Sequence, residues 1–310
     1  MKKRDRFKAS YDLHLHSCWS YDAGVSVENY FKMAQNDGLE AFAITDHHHF
    51  DSADELFETA KKYPDVKFFT GAEFSASTPF GDMDFVCLGL PRKPTAGLQG
   101  LYDEMHLYLN NMGKASTIIA ERMKHTFTEA ERRNIMLQYR PKKVIDFQGD
   151  SYAKHELQSQ YLIQKGVVST IEEWGYAIWS DPAHDDIRPK LPTAERVSQI
   201  VHEAGGVVII AHPYHYFNGA DRKRMDALRE YVNFDGIECA HPLIPPYYGA
   251  VYRQYCLKNK LLSSGGTDLH FDSTLLKKFN MPEYTIFAEH AGAECYLDEL
   301  KERITLHNGC

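Results

Sequence analysis

The chain has 310 residues, 43% apolar and 25% charged, enough for one large α/β domain with a sizeable core. Its formal charge of −8 argues against broad electrostatic capture of nucleic acid, while leaving room for a local basic pocket. Six scattered cysteines (Cys18, Cys87, Cys239, Cys256, Cys295, Cys310) include no C-x-x-C pair, the basic start is not followed by a signal-peptide apolar stretch, and no apolar run reaches membrane-span length. A soluble, cytoplasmic protein with reduced thiols is expected.

In chain order, short apolar strands that end in polar residues alternate with helical patterns. The first strand is expected over residues 10–16, where His14 and His16 stand two apart and so project to one side. A helix over 27–36 ends at Gly38. A second strand, 41–45, runs straight into Asp46-His47-His48-His49. After a helix over 52–62, a third strand, 66–70, leads to Gly71-Ala72-Glu73, and a fourth is expected over 84–90.

From about 98 to 192 the strand rhythm stops, and Glu, Lys, Arg, Met and Gln recur at helical spacing. The alternation resumes with a helix over 194–204, a strand over 207–211 ending in His212-Pro213, a helix around 222–232 and a strand over 236–239. A helix over 251–258 and a strand over 261–264 then precede Asp268 and His270. A last strand, 284–287, and a C-terminal helix close the chain. The expected division is a barrel of residues 1–97 and 193–310 with a helical insertion, 98–192, covering its mouth.

Any lone histidine, such as His125, His184, His202 or His290, reads as structural. The clusters read differently, because each lies just past the C-terminal end of a strand, where barrel enzymes build their sites. Imidazoles and carboxylates together suit zinc, manganese or iron, and carboxylate bridging allows more than one ion.

The ordered motifs DLHLHS (12–17), ITDH (44–47), GAEFS (71–75), AHP (211–213), GIE (236–238) and GGTDLH (265–270) resemble those of the PHP phosphoesterases, named for polymerase and histidinol phosphatase. The resemblance implies a distorted (β/α)7 TIM-like barrel with a trinuclear metal centre. It implies a first ion on His14, His16, Glu73 and Asp268, with Glu73 bridging to a second. A third ion would take His47, His270 and Asp22. The second would take His212 and one more histidine, and His155 is preferred over His106, because the insertion resembles that of relatives acting as nucleoside-monophosphate phosphatases or RNA 5'-end exoribonucleases. An arginine often found after the His-Pro pair in that subgroup is replaced here by Tyr214-His215-Tyr216.

The chemistry expected is hydrolysis of a small phosphate ester, a nucleotide or sugar phosphate, by a metal-bound hydroxide. Asp46 is placed to accept the second imidazole proton of His47, and His215 or His241 to serve as general acid. Arg188, Lys190 and Tyr214 are the candidates for gripping phosphate and its attached group. The alternatives are a phosphodiesterase or 5'-3' exonuclease on short RNA or cyclic phosphates, and a metal-binding module without catalysis. The sequence identifies no membrane partner and no oligomeric state.

Overall fold

The computed structural model describes residues 8–149, 151–281 and 285–308. The chain divides into two compact units: residues 1–17, 25–102 and 191–310, and residues 18–24 and 103–190.

The first unit is built on one seven-stranded sheet in which neighbours in sequence are neighbours in space: β1 (Tyr11–Asp12), β2 (Ala41–Ile44), β3 (Phe68–Thr78), β4 (Gly81–Leu88), β5 (Val207–Ile210), β6 (Gly236–Ala240) and β7 (Leu262–Gly265). All pairs are parallel except β3–β4 and β4–β5. The sheet closes on itself just past β7 and β1. There Leu13 N–H donates to Gly265 C=O (3.1 Å), Asp268 N–H to His14 C=O (2.8 Å) and His16 N–H to Leu269 C=O (3.0 Å). A closed sheet leaves no edge and fills its interior with side chains. Consistent with that, all four residues of β5, Val207-Val208-Ile209-Ile210, are buried, as strands covered on both faces must be.

Helices cover the barrel through apolar faces at helical spacing. In α1 (Val27–Asp37), Val27, Tyr30, Phe31 and Ala34 are buried, Ser26 caps the start by accepting from Asn29 N–H, and Gly38 closes the end at φ 64°. The same logic gives α2 (Ala53–Ala60) and α8 (Ala194–Glu203), the latter capped by Thr193. It also gives α9 (Arg222–Tyr231) and α10 (Pro246–Asn259). Two short helices, α11 (Ser273–Lys278) and α12 (Glu294–Lys301), follow β7.

Several expected boundaries move. The first strand shrinks to Tyr11–Asp12, because the residues after it turn to the closure bonds. The fourth begins at Gly81 and runs antiparallel in a tight hairpin with β3. Of the last expected strand, Tyr284 lies outside the described residues and 285–287 form none. Ala288 there accepts from Ala9 N–H (2.8 Å) and donates to Asp12 Oδ2 (2.8 Å).

The second unit is helical: most of α3 (Ala96–Arg122), then α4 (Glu129–Leu137), α5 (Lys142–Gln148), α6 (His155–Gln164) and α7 (Ile171–Trp179). Its core includes Trp174, whose indole N–H donates to Gln158 Oε1 (3.1 Å). The Arg140 guanidinium is buried and donates to Cys18 C=O, Ser151 Oγ and Gln148 Oε1. Among the described residues no helix is long and apolar enough to cross a membrane, and the cysteines form no disulfide. Cys310 lies outside the described residues.

Candidate metal centre

His14 and His16 emerge together from the end of β1 and face Glu73 of β3. Their Nε2 atoms lie 3.2 Å from Glu73 Oε1 and Oε2 respectively, and 3.4 and 3.1 Å from Asp268 Oδ1. His47, past β2, brings Nδ1 to 3.1 Å from Glu73 Oε2, and His212, past β5, brings Nε2 to 3.3 Å from Oε1. One carboxylate thus stands among four imidazoles. His270 completes the set, its ring 4.2 Å from that of His16, while His16 and His47 stack at 4.3 Å.

The backbone is shaped to make this convergence. A Cβ on Gly266 would stand 2.5 Å from His14 N and 2.9 Å from its Cα, so only glycine lets the segment after β7 approach His14. Asp12 straps that segment down, accepting from Thr267 N–H (3.0 Å), Thr267 Oγ1 (2.6 Å) and Ala288 N–H (2.8 Å). His212 and Asp268 are held at φ 26° and 55°, a left-handed conformation costly for residues with a Cβ and typical of functional sites.

Glu73 is 1% exposed, yet neither of its oxygens receives a well-aligned hydrogen bond, and the same holds for Asp268 Oδ1 and His14 Nε2. Buried carboxylate oxygens without donors are rare. Burial alone would raise Glu73 and Asp268, but the imidazoles, His14 and His47 for Glu73 and His270, His14 and His16 for Asp268, hold both well below the usual carboxylate range. Burial would lower His14, and Glu73, Asp268 and Glu238 hold it well above the usual imidazole value. Ionised carboxylates converging with imidazole nitrogens, their donor atoms within 4.8 Å of one another for His14, His16, Glu73 and Asp268, form a donor set that fits divalent transition metals.

Two residues of the site carry no expected role from the sequence. Glu238 of β6 places Oε1 3.2 Å from His14 Nδ1 and accepts from His212 N–H through Oε2 (2.7 Å). It therefore orients His14 so that Nε2 faces the centre. Its signal was present, since a glutamate inside an apolar strand needs a buried partner. The other is Asp84 of β4, whose Oδ2 lies 3.8 Å from His212 Nε2.

The remaining expected residues are distributed as follows. Asp46 accepts from Ser17 N–H (2.6 Å) and Ser17 Oγ (2.8 Å), and the imidazole whose charge it feels is His16. His241 is buried, its Nδ1 accepting from Leu243 N–H (3.1 Å) and its Nε2 4.0 Å from Asp268 Oδ2. Burial brings His241 down to about 4, so near neutral pH it offers an Nε2–H donor and not an imidazolium. His215 is exposed, its ring 6.1 Å from that of His212, and Tyr214 packs against His215 and Tyr248. Asp22 and His155 belong to the second unit, where Ser20 Oγ donates to Asp22 (3.0 Å) and His155 Nδ1 lies 3.2 Å from Glu156. His106 lies on α3 in the same unit, and Lys190 there is exposed.

Arg188, expected as a phosphate clamp, is engaged with the backbone of its own unit. Its guanidinium donates to the carbonyls of Ile178 (2.7 Å), Ala177 (3.1 Å) and Asp181 (2.7 Å) and pairs with Asp185. The last turn of α7 has carbonyls without helical partners, and Arg188 satisfies them. Replacing Arg188 by Ala should cost about 1–3 kcal/mol of stability and leave KM for a phosphate ester unchanged. A raised KM with unaltered thermal unfolding would restore the clamp.

The PHP domain family matches residues 12–176, just over half the chain. A Thermotoga maritima protein named "Probable histidinol-phosphatase" is 35% identical over 95 residues, which cover 26% of this chain and 39% of the relative. The match thus takes in about two fifths of that protein's length. Two solved structures share the fold. An amidohydrolase from Chromobacterium violaceum has a TM-score of 0.75 at 17% identity, covering 97% of this chain and 99% of its own. A Bifidobacterium adolescentis chain, provisionally described as a metal-dependent phosphoesterase, has a TM-score of 0.73 at 18% identity, covering 97% and 98%.

Proposed function

The chain belongs to the PHP domain family, and from that premise we propose that it is a metal-dependent phosphoesterase hydrolysing a small phosphate ester, a nucleotide or a sugar phosphate. The observation that carries this reading is Glu73, buried, ionised and shared among His14, His16, His47 and His212. His14, His16, Glu73 and Asp268 would hold one divalent ion, Glu73 and His212 belong to a second, and His47 and His270 to a third. Zinc, manganese and iron all suit these donors. Such ions, when bound, lower the pKa of water and offset charge on phosphoryl oxygens.

The chain's own residues supply the rest. Glu238 fixes His14, Asp12 fixes the turn that carries Asp268, and the His241 Nε2–H stands ready to donate a hydrogen bond beside Asp268. With water as nucleophile, oxygen from solvent enters the released phosphate in a single turnover and configuration at phosphorus inverts. The test is a panel of phosphate esters with metal-replete protein. Release of no phosphate from any of them would remove the phosphoesterase reading and leave a metal-binding module, and a trapped phosphoenzyme would overturn direct attack by water.

Between the two substrate classes, the first unit favours nucleotides. From His215 a run of rings leads outward through Tyr214, Tyr248 and Tyr247 at 6.5, 5.1 and 5.3 Å, and Tyr247 is 73% exposed. The run ends in an open cavity of about 620 Å³ lined by Asn218, Asp221, Arg222, Tyr247 and Tyr248. Stacking one base on an aromatic side chain contributes about 1–3 kcal/mol. Adenosine 5'-monophosphate should therefore exceed ribose 5-phosphate in kcat/KM by roughly tenfold or more, with the advantage lost in Tyr247→Ala. Equal kcat/KM values would favour sugar phosphates, and far faster cleavage of short RNA would favour the exonuclease alternative.

A further inference from the structure

In a parallel barrel the residues that face the active end come from the C-terminal ends of strands, but β4 runs antiparallel, so its first residues do this instead. Ser75 of β3 lies directly opposite Asp84 of β4. Glu73, two residues before Ser75, shares its face. The Asp84 carboxylate is thereby turned to the same side as Glu73, and its Oδ2 reaches 3.8 Å from His212 Nε2. The donor atoms of Glu73, Asp84 and His212 all lie within 4.8 Å of one another.

Asp84 is also held still. Its Oδ1 accepts from Ser75 Oγ (2.5 Å) and its Oδ2 from the Tyr216 hydroxyl (2.7 Å). That hydroxyl in turn accepts from Asp84's own N–H (3.1 Å), and the Tyr216 ring packs 5.6 Å from the ring of His212. One tyrosine therefore sets both the carboxylate and its neighbouring imidazole. A carboxylate oxygen has two lone pairs. Each Asp84 oxygen spends one on a hydroxyl and keeps one. A separate observation favours a cation beside these groups: Glu73, 1% exposed, presents Oε1 toward His212 and His14 with no well-aligned hydrogen bond to occupy it.

We propose that Asp84 is a ligand of the second divalent ion, together with Glu73 and His212, and that Tyr216 is the positioning residue that aims it. The proposal rests on the metal-centre reading above. Two carboxylates and one imidazole make this the most oxygen-rich position of the centre, which favours Mn²⁺ or Fe²⁺ over softer ions there.

The test is titration of the chelator-stripped 310-residue chain with Mn²⁺ alone, followed by calorimetry, with the ion content measured after desalting. Wild type is compared with Asp84→Asn, Tyr216→Phe and, as an exposed control, Asp54→Asn. Asp84→Asn should bind one ion fewer, or bind one of the ions at least tenfold more weakly. Tyr216→Phe should keep the stoichiometry and weaken that same ion by roughly tenfold, as loss of an outer partner to a ligand does. The control should match wild type. Asp84→Asn protein that takes up the wild-type number of ions with wild-type affinities overturns the assignment, and Asp84 is then only a strut for Tyr216. If Asp84→Asn fails to fold, Tyr216→Phe decides, with unchanged Mn²⁺ affinity counting against the proposal. Wild type that binds no Mn²⁺ overturns the metal centre itself.

Discussion

Replacing Glu73 by Gln should remove more metal than replacing any single histidine of the site and should lower kcat by about 10³-fold or more. The substitution keeps size and shape and removes one negative charge. Because that charge is shared among His14, His16, His47 and His212 at 3.1–3.3 Å, its loss is felt across the centre. Glu73 also belongs to both donor groups that contain Asp268 or His212, whereas His270 belongs to neither. His270→Ala should therefore shed about one ion and Glu73→Gln more than one. Elemental analysis of metal-replete protein decides the matter. A Glu73→Gln protein with wild-type metal content would show that Glu73 bridges nothing, and the shared-carboxylate argument would fall with it.

The convergence of the candidate ligands was legible in the sequence where their chemistry coincided with a strand end. His14-x-His16 and Asp268-x-His270 have the two-residue period of a strand, and they directly follow β1 and β7, the pair that closes the barrel. The place of Asp84 was not legible, because the expected strand over 84–90 carried no direction, and direction decides which of its ends faces the centre. Only the antiparallel pairing with β3 carries it to the centre. Glu238 was visible as part of GIE but silent as to role, since nothing in sequence says which imidazole a buried carboxylate will face. The bonds that Arg188 makes were not legible for a related reason. A cation in a polar loop suggests phosphate, yet the nearest unmet acceptors are the carbonyls at the end of α7, and local backbone needs are satisfied first.

The second large effect is expected at a residue that carries no charge of its own. Gly266 touches no substrate and ligates nothing, yet Gly266→Ala should lower kcat/KM by about 10²-fold, the loss that follows from moving a catalytic group by roughly 1 Å. A methyl group there would meet His14 N at 2.5 Å and Cα at 2.9 Å, and these are backbone atoms that cannot rotate aside. On either side the strands are tied by Leu13 N–H to Gly265 C=O and Asp268 N–H to His14 C=O. Relief must therefore come from parting the barrel at its closure, which shifts His14 and Asp268 relative to each other. Overpacking of this kind also costs about 1–3 kcal/mol of stability, read as a lowered thermal midpoint. Gly97→Ala is the matched control. A Cβ at that helical position meets only Ile200 Cγ2 at 3.9 Å, and Ala in a helix is favoured over Gly by up to about 1 kcal/mol. It should leave activity alone and leave stability equal or higher. A Gly266→Ala protein with the wild-type thermal midpoint, metal content and kcat/KM would mean that the close approach at the barrel seam does not hold His14 in place.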